Sequence, residues 1–379
     1  MDGRDVFGLA PSSTAAEVLG TEISDLPTEN ISKFLWEHLE RTGGPSPEYQ
    51  LETGGTLIID EAGMVSTPHW DVLTQLAETN DWRIVAVGDG YQFSAVGRGG
   101  IFDHLTSTLP THRISRLEQV HRFDAAWEAD ASALLRTGDQ TALDTYEAND
   151  RITPTGERDL VDIVTDLYME RHNAETDVGV FAATNTQVAE LNTAIQTALV
   201  DSGQLGEPIN TGNRQLFVGD LIETRSNNRD LVTDRGQYVK NRDRWTITGA
   251  NKDGGLVVTG TSGTVTLPAE YADSYVNLGY AQTAHASQGR TIAGTSIYAY
   301  NPEVSPTDRA GIYVPLTRGK QENLAVVTAE NAPIAKAHLA DAISRRWIDT
   351  PAISHLHNCL LYTSPSPRDR TRSRMPSSA

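Results

Sequence analysis

Apolar and polar positions alternate along the first 115 residues in the manner of an α/β domain. Two nearly continuous apolar runs, TLIID (56–60) and RIVAVGD (83–89), have the length and composition of buried parallel strands. Amphipathic segments with a helical period lie before and between them, at 14–19, 31–40 and 69–78. Strands and helices that alternate at this spacing predict a parallel sheet with helices on its faces.

A second α/β pattern follows and is interrupted. Helical segments precede a strand, DVGVFAATN (177–185), and a helix, TQVAELNTAIQTAL (186–199). From residue 206 to 275 the chain changes to short strands separated by turns such as NKDGG and TSGT, which favour hairpins. The α/β pattern then resumes. We therefore predict a small β-barrel inserted into the second α/β domain.

These patterns divide the chain into four parts. We expect a first domain at 1–115, a second domain at 116–205 and 276–345, the insert at 206–275 and a tail at 346–379. Residues 359–379 resemble the translated read-through of a sequencing adapter, so we exclude them from the fold. His355, His357 and Cys359 have ligand-like spacing but no further ligand nearby, and we predict no metal site there.

Composition limits the classes of function. A formal net charge of −19 argues against coating nucleic acid through bulk electrostatics, although it leaves room for a narrow basic groove. The single cysteine excludes a disulfide framework within the chain and fits a reducing compartment. No apolar run approaches the roughly 18 residues of a membrane span, and no signal peptide is visible. We expect a cytoplasmic protein.

Candidate chemistry lies where the two apolar strands end. Asp60 and Glu61 are adjacent acids at the end of the first strand, where one carboxylate can bind Mg²⁺ and another can polarise water. The pair alone fits an exposed acidic turn equally well. Gln92, three residues after Asp89 at the end of the second strand, favours the catalytic interpretation because both strand ends share one sheet edge.

Six segments resemble, in order, the motifs of superfamily 1 helicases of the RecD-like branch. They are GLAPSSTAAEVL (8–19, motif Ia), DEAGM (60–64, II), VGDGYQFSAVGRGG (87–100, III), LEQVHRF (117–123, IV), GYAQTAHASQGRT (279–291, V) and YVPLTRGK (313–320, VI). The ensemble is similar to the helicase region of MobF-class conjugative relaxases, including FVGDLIETRSNNRDL (217–231) and NRDRWTIT (241–248). Any one motif is weak evidence, whereas six in order are strong. The resemblance implies two RecA-like parallel-sheet domains with an SH3-like barrel inserted in the second.

The resemblance also implies roles for individual residues. ATP and Mg²⁺ would be the cofactors, with Asp60 binding the metal ion and Glu61 acting as general base. The nucleotide would further contact Gln92, Arg122, Gly289 and Arg318, and planar guanidinium groups suit phosphate oxygens. Single-stranded DNA would contact Pro11, Ser12, Thr283, His285, Ser287 and Gln288. His285 also fits a core histidine, and Trp245 fits the core of the barrel better than a base-stacking site.

The phosphate-binding pattern G-x-x-x-x-G-K-[ST] does not occur in this sequence. The single Gly-Lys pair, Gly319-Lys320, belongs to motif VI. In the family the phosphate-binding loop lies upstream of motif Ia, which here begins near residue 8. We therefore expect an N-terminally truncated first domain with an exposed sheet edge, and poor ATP hydrolysis by this chain alone.

The function implied for the intact parent is an ATP-dependent 5′–3′ helicase or translocase on single-stranded DNA, the motor of a conjugative relaxase. Other conjugation or relaxosome proteins would then be partners, although no relaxase tyrosine and histidine triad is recognisable here. One alternative is a non-catalytic remnant that binds single-stranded DNA. Another is an unrelated Mg²⁺-dependent enzyme that uses Asp60 and Glu61, for which Arg122 and Arg318 would be dispensable.

Overall fold

The computed structural model describes residues 5–23, 26–117, 122–211, 214–347 and residue 351. The cluster at 355–359 and the adapter-like segment lie outside these residues. Within the described part of the chain, no group of histidine, cysteine and acidic side chains could hold a metal ion. None of the described helices is both long enough and apolar enough to cross a bilayer.

The first parallel sheet contains the two strands that the apolar runs predict, and two more. Its described strands are ordered β2-β1-β3-β4, all parallel. β2 was not predicted from the sequence, because it is short and polar. The elements are β1 (Val6–Ala10), α1 (Ser13–Glu22), β2 (Thr28–Asn30), α2 (Ile31–Leu39), β3 (Thr56–Ile59), α3 (Thr67–Asn80), β4 (Arg83–Ala86) and α4 (Ile101–Thr108).

Helices cover this sheet and place its strand ends. Leu57 and Ile59 of β3 are fully buried, in one apolar cluster with Trp70 and Leu73 of α3. Ser66 caps α3, since its side chain accepts a hydrogen bond from the backbone N–H of His69. The buried strand therefore ends at a fixed place, and the two acids that follow it are fixed with it.

The second parallel sheet has the described order β16-β6-β17-β18-β5. Separate apolar clusters lie on its two faces, one around Tyr298 and one around Ile297. Its elements are α5 (Ala126–Thr137), α6 (Thr141–Ala148), β5 (Ile152–Thr155), α7 (Leu160–Asn173), β6 (Val178–Ala182), α8 (Asn185–Asp201), and, after the insert, β16 (Ala281–Thr283), β17 (Thr295–Tyr300), α10 (Arg309–Tyr313), β18 (Glu322–Thr328) and α11 (Ala332–Ser344).

Antiparallel strands lie between α8 and β16, where the sequence predicts an insert. Five of them form a sheet ordered β14-β13-β12-β9-β15, and β10 pairs with β11 and β7 with β8. The elements are β7 (Pro208–Thr211), β8 (Arg214–Phe217), β9 (Leu221–Thr224), β10 (Asn228–Val232), β11 (Tyr238–Val239), β12 (Arg244–Ala250), β13 (Leu256–Gly260), β14 (Gly263–Leu267), α9 (Ala269–Tyr275) and β15 (Val276–Leu278).

Trp245 is 1% exposed in the apolar core of this insert, as the sequence predicts. The parallel-sheet α/β class is thus confirmed for both halves of the chain. The SH3-like character of the insert, the truncation of the first domain and the exact domain limits remain predictions.

Candidate functional site

Two acids follow β3 at the carboxyl edge of the first sheet. The backbone N–H of Asp60 donates to the carbonyl of Leu9 at 2.8 Å, and that of Ala62 donates to Val87 at 2.8 Å, so the ends of three strands are tied together. Glu61 has a left-handed backbone with φ of 47°, which is rare for a residue with a side chain. Burial raises the pKa of both carboxyls, and a backbone hydrogen bond partly offsets this for Asp60.

The carboxylate of Asp89, after β4, links the two halves of the chain. Its Oδ1 accepts hydrogen bonds from Nε and Nη2 of Arg136 at 3.1 and 3.0 Å, and its Oδ2 accepts one from the Tyr313 hydroxyl at 3.2 Å. Burial and the nearby Asp89 charge raise the pKa of Tyr313 to about 12, so this tyrosine stays protonated and its hydroxyl donates a hydrogen bond to Asp89. The loop after β4 is therefore held by the second domain.

Gln92 lies on this loop in the position that the strand spacing predicts. Its Nε2 is 3.5 Å from Oδ2 of Asp89. Its Oε1 is buried and has no hydrogen-bond partner among the described residues. A buried amide oxygen without a partner is uncommon, and it can accept a hydrogen bond from bound water.

Two guanidinium groups approach the same cleft from the second domain. Arg318 is 1% exposed and donates to the carbonyls of Val314 and Arg290 and to the Thr317 hydroxyl, at 2.9, 3.2 and 3.1 Å. Arg122 donates from Nη1 to the Thr317 carbonyl at 2.6 Å. Neither forms an ion pair with a carboxylate in the described part of the chain.

The electrostatics of these arginines favour an anionic ligand. Burial, and then the neighbouring charge of Arg122, lower the pKa of Arg318 to about 9, and burial also lowers the pKa of Arg122. The two cations repel each other, and Glu61 and Asp89 compensate only in part. Buried positive charge without a paired carboxylate is costly, and a phosphate would relieve that cost.

Gln288 lies in the cleft with the acids, although the family resemblance implies a contact with DNA. Its Nε2 donates to Oε2 of Glu61 at 2.9 Å across the two domains, and its Oε1 is buried without a partner among the described residues. Gly289 has a φ of +76°, and a Cβ at this position would lie 3.7 Å from Oε1 of Glu61. Gly289 and Gln288 thus both lie beside Glu61, and their contacts with nucleotide or DNA remain predictions.

The remaining DNA candidates differ in accessibility. Pro11 is half-buried, and Ser12 caps α1 because its Oγ accepts from the N–H of Ala15 at 3.1 Å. Thr283 is half-buried and its Oγ1 accepts from the N–H of Ala286. His285 keeps an exposed edge and stacks on Phe93, with ring centroids 3.7 Å apart.

The position of Ser287 does not fit the predicted contact with DNA. It is fully buried and its hydroxyl donates to the carbonyl of Ala284 at 2.6 Å. In this conformation it cannot contact a DNA strand, because the turn of motif V directs it into the protein. Its role here is to close that turn.

Sequence analysis did not identify several residues that lie at the site. Arg136 carries no local signal, and Tyr313 stands at the start of motif VI without a predicted role.

A cavity of 560 Å³ also lies between the domains, lined in part by Tyr91, Phe93, His285, Asp308 and Trp347. Tyr91 lies between two guanidinium groups, Arg136 at 5.1 Å and Arg346 at 5.0 Å from its ring. Such contacts depend on the relative orientation of the two domains, which cannot be predicted from a short stretch of sequence.

The fold and this cleft define a class of protein: two parallel α/β sheets that meet with acids on one side and guanidinium groups on the other. Residues 1–157 match the family model of an AAA domain, AAA_30. The fold is similar to the crystal structure of Pif1 helicase from Candida albicans, with a TM-score of 0.53 and 14% identity over 94% of this chain and 89% of that one.

Curated relatives are conjugal transfer proteins. The chain is 27% identical to the conjugal transfer protein TraA of Rhizobium radiobacter, over 94% of this chain and 31% of the relative. It is 26% identical to the probable conjugal transfer protein TraA of Sinorhizobium fredii (strain NBRC 101917 / NGR234), over 84% and 28% respectively. The chain therefore spans less than a third of these relatives. The family model and the conjugal transfer relatives bear out the resemblance drawn from the motifs, and the likeness to the helicase structure shows the shared fold.

Proposed function

We propose that this chain is the motor region of an ATP-dependent DNA helicase or translocase that moves on single-stranded DNA in the 5′–3′ direction. The motor would serve a conjugative relaxase. One observation carries the proposal: Glu61, at the end of the first sheet, accepts a hydrogen bond from Gln288 of the second domain and lies within electrostatic range of Arg122 and Arg318. Hydrolysis of a phosphoanhydride requires acids and cations on opposite sides of the transferred group.

The acids suit two different tasks. Asp60 is half-buried and accepts no hydrogen bond from a basic side chain among the described residues, so its oxygens fit the hard, partly hydrated Mg²⁺ ion, which would neutralise phosphate charge. Glu61 would accept the proton of the attacking water. Its raised pKa makes it a better base than an exposed carboxylate.

The groups around Glu61 would position the water and stabilise charge. Gln92 and Gln288 each present a buried amide oxygen without a partner among the described residues, and such oxygens accept hydrogen bonds from water. Arg122 and Arg318 would donate to the oxygens of the transferred phosphoryl group as charge develops there. Because these arginines belong to the second domain, nucleotide binding would draw the domains together.

We also propose that this chain needs a further phosphate-binding segment for turnover. Its sequence contains no G-x-x-x-x-G-K-[ST] pattern, and backbone amides of such a loop supply much of the triphosphate affinity. In addition, β4 pairs with β3 alone among the described strands, and Val85 and Val87 are 41% and 45% exposed. A strand added beside β4 would cover these valines and bring a loop to the acids.

The test is DNA-stimulated ATP hydrolysis by a longer form of the protein that carries a phosphate-binding loop. Glu61→Gln should lower the turnover number by at least about a hundredfold, since it removes the base but keeps the shape. Glu48→Gln, at an exposed acid outside the cleft, is the matched control and should keep full activity. Turnover by Glu61→Gln equal to that of the wild type would refute the assignment.

The same assay separates the two rival functions. A remnant that only binds single-stranded DNA would bind an oligonucleotide without hydrolysing ATP even in the longer form. An unrelated Mg²⁺-dependent enzyme would tolerate Arg122→Ala and Arg318→Lys, because its chemistry would need only the acids.

A further inference from the structure

The turn between β11 and β12 contacts three parts of the molecule. We call residues 240–243 the bridging loop. The ammonium of Lys240 forms an ion pair with Glu17 of α1 at 2.8 Å, and the hydroxyl of Thr14 donates to the carbonyl of Asn241 at 3.3 Å. On its other side, Nη2 of Arg290, just after motif V, donates to the carbonyl of Arg242 at 2.6 Å. The bridging loop therefore joins the insert to both domains.

Arg242 has a backbone conformation that its side chain disfavours. Its φ is +71°, in the left-handed region that glycine adopts at little cost. The backbone N–H of Arg242 donates to the carbonyl of Thr224 at 2.6 Å, which holds the turn in place. A glycine would adopt this turn at lower cost, so the backbone conformation alone does not favour an arginine here.

The guanidinium of Arg242 also differs from its neighbours in having no partner. Three nearby arginines each have at least one partner: Arg225 binds Glu223 at 2.9 Å, Arg244 donates to Gly279 at 3.0 Å and Arg290 donates to Gln282 at 3.0 Å, although Nε of Arg244 is buried without one. Arg242 is half-buried, yet its guanidinium makes no hydrogen bond or ion pair with any described residue. A partly buried, unpaired cation is costly unless a ligand pairs with it.

The neighbours of Arg242 indicate the ligand. Arg290 follows motif V and donates to the carbonyl of Arg242 at 2.6 Å, so Arg242 lies beside the segment that contains His285. Burial lowers the pKa of His285, and the positive charge of Arg242 lowers it further, which agrees with this arrangement. His285 stacks on Phe93 with an interplanar angle of 25°. A cation for a phosphate next to an aromatic pair is the combination that single-stranded nucleic acids require.

We propose that Arg242 binds a backbone phosphate of single-stranded DNA, and that the bridging loop connects the segment at Ser12 with the segment at His285 into one binding path. This inference rests on the proposed function. It assigns to the insert one particular phosphate contact. Such a contact would allow a chain whose net charge is −19 to bind DNA locally, because it depends on one cation and not on the overall charge.

Binding of a fluorescently labelled oligothymidine to the 379-residue chain tests the inference without any need for ATP hydrolysis. Arg242→Gly removes the side chain and relieves the left-handed strain, so the thermal midpoint should not fall while the DNA affinity falls by about tenfold. The salt dependence should weaken by about 0.7 in the slope of log K against log salt, the value for one phosphate contact on a single strand.

Two further variants make the result specific. Arg235→Ala removes an exposed arginine of the same insert, whose side chain donates to the Thr261 carbonyl, and should change the affinity less than twofold. Arg242→Lys keeps the charge, so it should restore the salt slope and part of the affinity. Should Arg242→Gly be less stable than the wild type, recovery of the slope by Arg242→Lys would still assign the contact to the charge.

The outcomes separate this inference from the proposed function. A wild-type chain that binds no oligothymidine would contradict the DNA-motor proposal and the inference together. Binding that persists in Arg242→Gly with an unchanged salt slope would overturn the inference alone. Displacement of the oligonucleotide by free ATP in the wild type, but not in Arg242→Gly, would show that Arg242 belongs to a nucleotide site and would overturn it as well.

Discussion

The two parallel sheets differ most at their edges. In the second sheet every residue of β6 and β17 is buried, and β17 is paired on both sides, by β6 and β18. In the first sheet β4 pairs with β3 alone among the described strands, and its positions alternate between exposed and half-buried. The edge strands of the second sheet, β16 and β5, also pair on one side only, but they have no exposed position, whereas β4 has two.

This difference separates the two halves of the candidate site. Arg122 and Arg318 belong to the second domain and donate to backbone carbonyls, so their side chains are fixed before any ligand binds. Asp60 and Glu61 follow β3, and the neighbouring strand β4 is partly exposed to solvent. We infer that the second domain provides a rigid half of the cleft, and that the first domain is completed by whatever covers β4.

Amide hydrogen exchange should show the largest contrast between the sheets. The amides of Arg83 and Val87 donate to Gly55, just before β3, and to Ile59 at its end, so the alternate amides of Ile84 and Ala86 point toward the open edge. We expect these two to exchange at least about a thousandfold faster than those of β17, because opening at an edge requires little local unfolding. Equal protection in β4 and β17, measured by NMR, would contradict the comparison.

Truncation of matched valines should give the next largest effect. Val326 of β18 is 0% exposed, whereas Val85 of β4 is 41% exposed. Val326→Ala should lower the free energy of unfolding by about 2 kcal/mol, since it leaves a cavity in a packed core. Val85→Ala should lower it by less than about 0.5 kcal/mol, as surface substitutions do. Urea unfolding measures both, and similar losses would mean that β4 is covered in solution.

The sequence predicted some of the elements whose hydrophobic pattern is strong, although the apolar and mostly buried β1 was missed. β3, β4 and β6 follow from continuous apolar runs, and Trp245 was correctly expected in the core of the insert. β2 and β5 were missed, because TEN is short and polar and ITPT contains a proline. Both lie at sheet edges, where pairing with a neighbouring strand, and not hydrophobicity, determines the structure.

The site was predictable only where it depends on strand ends. Asp60 and Glu61 follow β3 directly and Gln92 lies on the loop after β4, and parallel strands bring such ends together. The contact of Gln288 with Glu61 and that of Arg136 with Asp89 cross between domains, so they depend on a relative orientation that sequence spacing does not contain. Ser287 shows the same limit within one turn, because its burial follows from the direction of the chain there.

The bridging loop should make stability depend on pH. Burial raises the pKa of Asp243 to about 6, against the favourable effects of the Lys240 backbone N–H and ammonium, while Glu17 raises it further and Arg290 lowers it. A carboxyl whose folded pKa exceeds its unfolded value of 3.8 stabilises the fold below that lower value. This contribution is lost as pH rises through about 6.

Asp243→Asn should therefore stabilise the chain at pH 7 by about 1 to 2 kcal/mol and change little near pH 4. The amide oxygen can still accept the hydrogen bond from the N–H of Lys240, which is 2.8 Å long. Since the loop attaches the insert to α1, we expect the gain to appear in the unfolding of the first domain. Urea titrations at both pH values measure it, and a gain of equal size at pH 4 would rule out titration as the cause.

The smallest predicted effect concerns the acid at the centre of the cleft. Burial raises the pKa of Glu61, which means that its ionised form is unfavourable in the folded chain, and its left-handed backbone adds strain. Glu61→Gln should therefore raise the free energy of unfolding at pH 8 by about 0.5 kcal/mol, even though it should abolish hydrolysis in a form that binds ATP. Glu48→Gln is exposed and should leave stability unchanged.

If Glu61→Gln instead lowered the free energy of unfolding, the result would bear on how the two halves of the cleft are held together. Gln288 donates to Glu61 from the enclosed half of the molecule, so a loss of stability above about 1 kcal/mol would mean that this hydrogen bond holds the open half in place. Adding Gln288→Ala separates the two cases. If burial of charge dominates, Gln288→Ala should destabilise the wild type more than it destabilises Glu61→Gln, because the ionised carboxylate depends more strongly on its donor.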